Sequence, residues 1–142
     1  MTVVVLDSNV LVGMFVKDDA HWERSARCLR RMASGEWQAV ISTLAIPEVC
    51  GVIRRVTQQP ELASAVLEKL STWIAQGILQ MEDLNSSRAE SAAALAIACG
   101  ISGADAVHAA LAKDLQASLL TFDHEVIRKT KTDVSVLEIN KI

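Results

Sequence analysis

Val3-Val4-Val5-Leu6-Asp7 is a short apolar run that ends in an acidic residue. A run this short and this rich in β-branched residues is typical of a strand buried on both faces of a parallel sheet. Similar runs recur at residues 39–41, 78–81, 119–121 and 134–137, and helical patterns separate them. Strands that alternate with helices predict an α/β domain of three layers, with a parallel sheet between two layers of helices.

Two helical stripes lie in the first half of the chain. Apolar residues recur at helical spacing over residues 22–33, with charged residues on the other face, which predicts an amphipathic helix ending near Gly35. A second stripe covers residues 46–56. Thr43 is a candidate N-cap of this helix, and Pro47 is compatible with it only near the first turn.

The later helices carry clearer end signals. Pro60 opens the widest apolar stripe and Gly77 closes it, which is the favoured asymmetry of helix ends. Ser87 and Glu90 are spaced as a capping box, and Gly100 is a stop signal for the helix that they would open. We find no linker, repeat or low-complexity segment, so residues 1–142 are expected to form a single domain.

Composition narrows the possible functions. Hydrophobic residues make up 51% of the chain, yet every apolar run falls far short of the ~20 residues that a membrane helix needs. The three cysteines lack metal-site spacing and are interpreted as reduced core residues of a cytoplasmic protein. A net charge of −3 argues against broad wrapping of nucleic acid, and 4% aromatic residues argue against a base-stacking platform.

Three aspartates and one glutamate stand where the pattern predicts apolar surroundings. Asp7 and Asp123 follow predicted strands, whose carboxyl ends form the ligand-binding edge of an open α/β sheet. Asp105 lies in the first turn after Ser102, a predicted helix cap, and Glu48 interrupts an apolar helical stripe. Taken singly, each acid has a simpler explanation, because strand-end aspartates often cap the next helix and a helical glutamate is often solvated.

Taken together, the four acids predict a bound cation. A buried carboxylate must be paired, protonated or bound to metal, and the sequence offers no matching set of buried lysines or arginines. Hard carboxylate oxygens without clustered cysteine or histidine favour Mg²⁺ or Mn²⁺ over zinc. Such an ion activates water and stabilises phosphoryl displacement, which is nuclease chemistry. The candidate metal ligands and catalytic residues are Asp7, Glu48, Asp105 and Asp123.

Other polar residues receive plainer interpretations. His108 lies three residues after Asp105, on the same helix face, and is interpreted as a core histidine because no second nitrogen ligand accompanies it. Arg54 and Arg55 are candidates for guiding phosphate towards the acids. The arginine-rich face of the helix over residues 22–33 is interpreted as solvated.

Four motifs in order resemble PIN-domain ribonucleases, particularly the VapC toxins. They are residues 4–11 (VVLDSNVL), a helical Glu48, residues 103–110 (GADAVHAA) and residues 119–123 (LLTFD). The resemblance implies a PIN-like domain with a five-stranded parallel sheet in strand order 3-2-1-4-5. That order would bring Asp7 and Asp123 side by side, an adjacency that periodicity alone does not establish.

The resemblance also implies an activity and partners. Asp7, Glu48, Asp105 and Asp123 would bind Mg²⁺ or Mn²⁺ and direct hydrolysis of RNA phosphodiesters. Nearby polar groups, Ser8, Asn9 and Thr121, would support the acids. Relatives of this kind usually form homodimers and are silenced by a VapB antitoxin, for which the helices around Ile53 and Trp73 are a candidate receiving surface. Glu125 stands at an imperfect offset from the fifth acidic position of many relatives and is left out of the site.

Two other classes of function remain open at this point. A strand-end aspartate also suits phosphotransfer through an aspartyl phosphate, although position 9 is Asn, so no D-x-D follows the first strand. A noncatalytic interaction module could keep the fold as a binding platform. Dinucleotide-binding and P-loop glycine motifs are absent from the sequence.

Overall fold

A parallel sheet with helices on both faces forms the centre of the structure. The computed structural model describes residues 1–138, 140 and 142. The strands are β1 (Thr2–Leu6), β2 (Trp37–Ser42), β3 (Leu79–Glu82) and β4 (Ser118–Leu120). The helices are α1 (Ser8–Phe15), α2 (Trp22–Ala33), α3 (Ala45–Thr57), α4 (Pro60–Ala75), α5 (Ser86–Cys99), α6 (Gly103–Asp114) and α7 (His124–Thr130). All strand pairs are parallel, in the order β3-β2-β1-β4.

The sheet divides the apolar core into two parts, because successive side chains of a strand point to opposite faces. Val4 and Leu6 of β1 pack with residues of α1, α2, α3 and α4 on one face. Val5 packs with residues of α5, α6 and α7 on the other. The predicted α/β/α architecture is therefore confirmed.

The predicted fifth strand, residues 134–137, is reduced to a single parallel bridge. Val136 pairs with Leu119 of β4, where Leu119 N donates to Ser135 O at 2.8 Å and Leu137 N donates to Leu119 O at 2.9 Å. The segment occupies the fifth place in the predicted order, but the described residues form four strands rather than five. β4 is only three residues long, and so it offers little edge for pairing.

Most helix ends agree with the sequence analysis, and two caps differ. α2 and α4 have the expected extents, and Gly77 follows α4 with φ 75°. Thr43 does not cap α3, because its hydroxyl accepts a hydrogen bond from Leu84 N at 3.0 Å, and Leu44 occupies the N-cap position. Pro47 lies in the first turn of that helix, where its missing N–H costs nothing.

The predicted capping box of α5 is also wrong. Asn85 is the N-cap, and its side chain accepts a hydrogen bond from Arg88 N at 2.8 Å. Asn caps a helix as well as Ser does, so α5 begins one residue before Ser87. Gly100 ends the helix in the left-handed conformation, as predicted, with φ 68°.

The apolar residues of α3 and α4 and the three cysteines differ in their burial. Ile53 and Trp73 are 0% and 6% exposed and so belong to the core, whereas Val56 and Leu67 on the same two helices are 65% and 45% exposed. Cys28 is fully buried, as predicted for a core cysteine, and this burial raises the pKa of its thiol to about 11, whereas Cys50 and Cys99 are only partly buried. In the described part of the chain, no single helix is long and apolar enough to cross a membrane; α5 and α6 meet that requirement only as a pair, bent by 111°.

Candidate active site

The β1–α1 and β4–α7 junctions place two of the acids at one edge of the sheet. β1 and β4 are hydrogen-bonded neighbours, and Asp7 N donates to Leu120 O at 3.0 Å. Asp7 and Asp123 each occupy the N-cap position of the short helix that follows. Periodicity had not identified these helices, α1 and α7, although each aspartate was recognised as a possible cap.

The carboxylate of Asp7 does not act as a helix cap. It is 6% exposed, and its Oδ2 accepts a hydrogen bond from the hydroxyl of Thr121 at 2.8 Å. Asn9 Nδ2 lies 3.5 Å from the same oxygen and donates to Thr121 Oγ1 at 3.1 Å. Asn9 is itself held by Phe122 N, which donates to its Oδ1 at 3.2 Å. The predicted supporting residues Asn9 and Thr121 therefore do contact Asp7 or each other.

The carboxylate of Asp123 does cap its helix. Its Oδ1 accepts hydrogen bonds from Glu125 N at 2.9 Å and from Val126 N at 3.4 Å. Both bonds use one oxygen, and no contact among the described residues engages Oδ2. Asp123 is exposed, so this second oxygen is available to a ligand.

Asp105 lies close enough to both strand-end aspartates to be affected by their charge. Ser102 caps α6 as predicted, with its hydroxyl accepting from Asp105 N at 3.1 Å. Burial raises the pKa of Asp105, hydrogen bonding with Ser102 opposes this, and the negative charges of Asp7 and Asp123 raise it further, so that it lies above its ordinary value. Three acids from three elements therefore repel one another at this edge.

Glu48 reaches the same region through a hydrogen-bonded network with His108. His108 Nε2 lies 2.7 Å from Glu48 Oε1, and the hydroxyl of Ser8 donates to that same oxygen at 2.7 Å. Ser8 Oγ lies 3.3 Å from His108 Nε2. His108 is 1% exposed, as a core histidine would be, but it also pairs with a candidate metal ligand, which the sequence analysis did not predict.

The charges of this network support one another. Burial alone would raise the pKa of Glu48, but the hydrogen bonds from His108 and Ser8 and the charge of His108 lower it below its ordinary value. Burial also disfavours the charged form of His108, yet the Glu48 hydrogen bond and the charges of Asp7, Glu48 and Asp105 raise its pKa. Its Nε2 lies 3.8 Å from Asp7 Oδ1. His108 thus compensates part of the acidic charge.

The four acids share one region without forming a closed set of ligands. Among residues 1–138, 140 and 142, no three side chains of His, Cys, Asp or Glu are arranged to hold a metal ion together. The donor chemistry nevertheless suits a hard divalent cation, since Asp7, Asp105 and Asp123 offer carboxylate oxygens and repel one another. Binding an ion would require their side chains to move closer together.

Glu125 does not extend this set of acids. It is exposed, and its Oε2 pairs with Arg128 at 2.7 Å and with Lys129 at 3.5 Å on its own helix. The hydrogen bond from Arg128 and the charges of Arg128 and Lys129 lower the pKa of Glu125. Its described contacts are therefore local to α7.

Comparison with known proteins identifies a family model that covers most of the chain. The model of the PIN domain matches residues 4–132. No sequence among curated proteins is significantly similar to this one.

Solved structures with the same fold have low sequence identity to this chain. Mycobacterium tuberculosis VapC20, a toxin that cleaves the sarcin-ricin loop, superposes with a TM-score of 0.73 at 14% identity, covering 94% of this chain and 98% of its own. VapBC2 from Rickettsia felis, bound to a DNA fragment of its promoter, gives 0.70 at 17% identity over 96% and 98%. A toxin-antitoxin complex from Klebsiella pneumoniae gives 0.66 at 18% identity over 96% and 97%.

Proposed function

This chain belongs to the PIN domain family, and we propose that it is a metal-dependent endoribonuclease that hydrolyses RNA phosphodiester bonds. The toxin of a VapBC-type toxin–antitoxin pair is the role that we propose for it. The similarity in fold to VapC20 and VapBC2 supports this role. The arrangement of the acids supports the chemistry.

The proposal rests mainly on the burial and the hydrogen bonding of Asp7. Its carboxylate is nearly buried and stands at a helix N-cap, yet it leaves the helix uncapped and is held by Thr121 instead. A buried carboxylate used in this way costs stability unless something compensates its charge. The negative charges of Asp7 and Asp123 both act on Asp105 and disfavour its ionised form. A chain that keeps these acids together is suited to bind a divalent cation.

Each residue would have a distinct role in such a site. Asp7, Asp105, Asp123 and Glu48 would hold Mg²⁺ or Mn²⁺ directly or through water. The ion would supply Lewis acidity, activating a water molecule and stabilising the charge that develops on the phosphate. Thr121 fixes the orientation of Asp7. Ser8 and His108 bind Oε1 of Glu48 and leave its Oε2 to orient water or accept a proton.

The proposed biological setting has three further parts. We propose that a VapB-like antitoxin binds and silences the chain, that the chain forms a homodimer, and that it works in the cytoplasm. The Klebsiella pneumoniae relative, solved as a toxin-antitoxin complex, supports the first part. Affinity purification of the tagged chain from its native host, followed by size-exclusion chromatography with light scattering, tests partner and dimer together. A monomer without a bound partner would contradict both.

The experiment for catalysis is cleavage of a mixed RNA pool with and without Mn²⁺. The wild-type chain should cleave only with the metal, and Asp7→Asn and Asp105→Asn should remove this activity. Asp18→Asn is the matched control, because Asp18 is an exposed acid outside the site. Activity that survives both site substitutions, or that persists in EDTA, would refute the proposal.

A further inference from the structure

A groove between α2, α7 and the segment after α7 lies beside the candidate active site. We call it the α2–α7 groove; its volume is about 660 Å³. Its walls carry four basic side chains, those of Arg24, Arg27, His124 and Lys131. Apolar residues, including Ile127 and Val136, form one wall, and the lining also contains one acid, Glu138, and the polar residues Ser135 and Asn140. None of these basic residues belongs to the acidic site described above.

The groove and the acidic site meet at Phe122 and Asp123. The guanidinium of Arg24 lies 5.3 Å from the centre of the Phe122 ring, and the His21 ring lies 4.6 Å from it. Phe122 directly precedes Asp123, and His124, which lines the groove, directly follows it. A chain molecule with one phosphate at the acids therefore has its neighbouring units within reach of the groove.

Three basic groups of the groove have no carboxylate partner among the described residues. None of the ion pairs found in that part of the chain involves Arg24, Arg27 or Lys131. By contrast, Arg88 and Arg128 bind Asp114 and Glu125. Cations kept together in this way, in a protein whose net charge is −3, form a local positive patch that attracts anions.

We infer that the α2–α7 groove binds single-stranded RNA next to the scissile phosphate, with phosphates on the arginines and lysine and a base or ribose against the apolar wall. This rests on the proposed ribonuclease function. The groove volume falls in the range of about 300–1,000 Å³ typical of small-ligand sites, which suits a short piece of one strand and not a duplex. Arginine planes also offer stacking surfaces to unpaired bases.

The groove changes the interpretation of two groups of arginines. The sequence pattern had indicated a solvated arginine face on α2 and had favoured Arg54 and Arg55 for guiding phosphate. Arg54 donates to Gln58 Oε1 at 3.3 Å within its own helix end, and no described contact joins either arginine to the strand-end acids. Arg24, in contrast, contacts the residue before Asp123.

The test measures binding of a fluorescein-labelled single-stranded RNA by anisotropy in EDTA, where the proposed cleavage cannot occur. Arg24→Gln/Arg27→Gln should weaken binding about tenfold and reduce the salt slope by about 0.7 for each phosphate that the variant no longer neutralises. Lys131→Gln should act in the same direction and does not involve the Phe122 ring. Arg30→Gln is the matched control, since Arg30 is exposed on the same helix but does not line this groove.

Four outcomes would contradict RNA binding in the α2–α7 groove. Unchanged RNA binding in both groove variants, an equal loss in Arg30→Gln, or a larger loss in Arg54→Gln/Arg55→Gln would overturn the inference. So would a hexaglutamate peptide that binds through Arg24 and Arg27 while RNA affinity stays unchanged, because the groove would then receive an acidic protein segment.

Cleavage assays in Mn²⁺ distinguish a failure of RNA binding in the groove from a failure of the proposed ribonuclease function. A raised KM with unchanged kcat in the groove variants supports the groove. Wild-type KM in those variants overturns the groove and leaves the ribonuclease standing. Groove-dependent RNA binding without any cleavage by the wild-type chain supports the groove and refutes the ribonuclease.

Discussion

The β1–α1 and β4–α7 junctions share a sequence pattern and use their aspartates differently. In both, an apolar strand leads to an aspartate at the N-cap of a short helix. Asp123 is exposed and binds two backbone N–H groups of α7 through one oxygen. Asp7 is nearly buried and binds no N–H group of α1. The same motif therefore stabilises a helix at one junction and presents a charge at the other.

The hydroxyl of Thr121 links the two junctions. It donates its single proton to Asp7 Oδ2 at 2.8 Å, and it accepts from Asp123 N at 3.2 Å and from Asn9 Nδ2 at 3.1 Å. Asp7 is drawn across to the neighbouring strand end, away from the N–H groups of its own helix. The hydrogen-bond donors at the end of the adjacent strand therefore decide whether such an aspartate caps its own helix or turns towards the candidate site.

Asp7→Asn is the substitution with the largest expected effect, and it tests whether Asp7 serves the site and not its helix. We expect cleavage to fall about 100-fold or more, the effect of removing a preorganised charge from a catalytic site. The unfolding free energy should change by less than about 1 kcal/mol, since the amide oxygen can still accept the Thr121 proton. Single-turnover rates and urea unfolding measure the two effects. Strong destabilisation would instead mean that the carboxylate holds the junction together.

Thr121→Val tests the link between the junctions. The substitution keeps the shape of the side chain but removes the short hydrogen bond to the buried Asp7 Oδ2, which then keeps only Asn9 Nδ2 at 3.5 Å, and this loss costs about 1–3 kcal/mol. Cleavage should fall about tenfold, because Asp7 keeps its charge and loses its fixed orientation. Thr121→Ser retains the hydroxyl and is the control. Equal losses in both variants would assign the effect to packing.

Asp123→Ala and Asp123→Asn separate the two uses of that residue. Alanine removes the cap of α7 and should cost about 1 kcal/mol, whereas asparagine caps almost equally well and should cost only a few tenths. Both variants lose the charge, so both should lose cleavage to the same extent. Thermal melts and cleavage rates provide the measurements. If asparagine restored activity together with stability, Asp123 would be only a cap.

The sequence predicted those features that depend on neighbours along the chain. The first four strand runs, the α2 and α4 stripes and the Ser102 cap all arise from local spacing, and all are present. The fifth strand shrank to one bridge because its extent depends on the length of the edge beside it. The capping box failed because Asn85, a cap of equal quality, stood two residues earlier.

The contacts of the candidate site could be predicted only in part. The four acids were predicted as candidates because carboxylates in apolar surroundings stand out in a sequence. Thr121 was named as a supporting residue only through the family resemblance, and the pairing of His108 with Glu48 was not predicted, since these bonds span 114 and 60 positions. Such pairs depend on which elements become neighbours. The i, i+3 spacing put His108 on the same helix face as Asp105, and this was the available signal that His108 lies near the acids.

Glu125→Gln should have the smallest effect on cleavage, and it tests whether the β4–α7 junction contributes a second acid to the site. Glu125 is exposed, and its described side-chain contacts are the ion pairs with Arg128 and Lys129, which water and salt screen. We expect cleavage, Mn²⁺ dependence and the thermal midpoint to match the wild type at physiological salt. A weaker Mn²⁺ dependence in this variant would show that Glu125 turns towards the ion when the site is loaded. The junction would then supply two acids to the site where the β1–α1 junction supplies one.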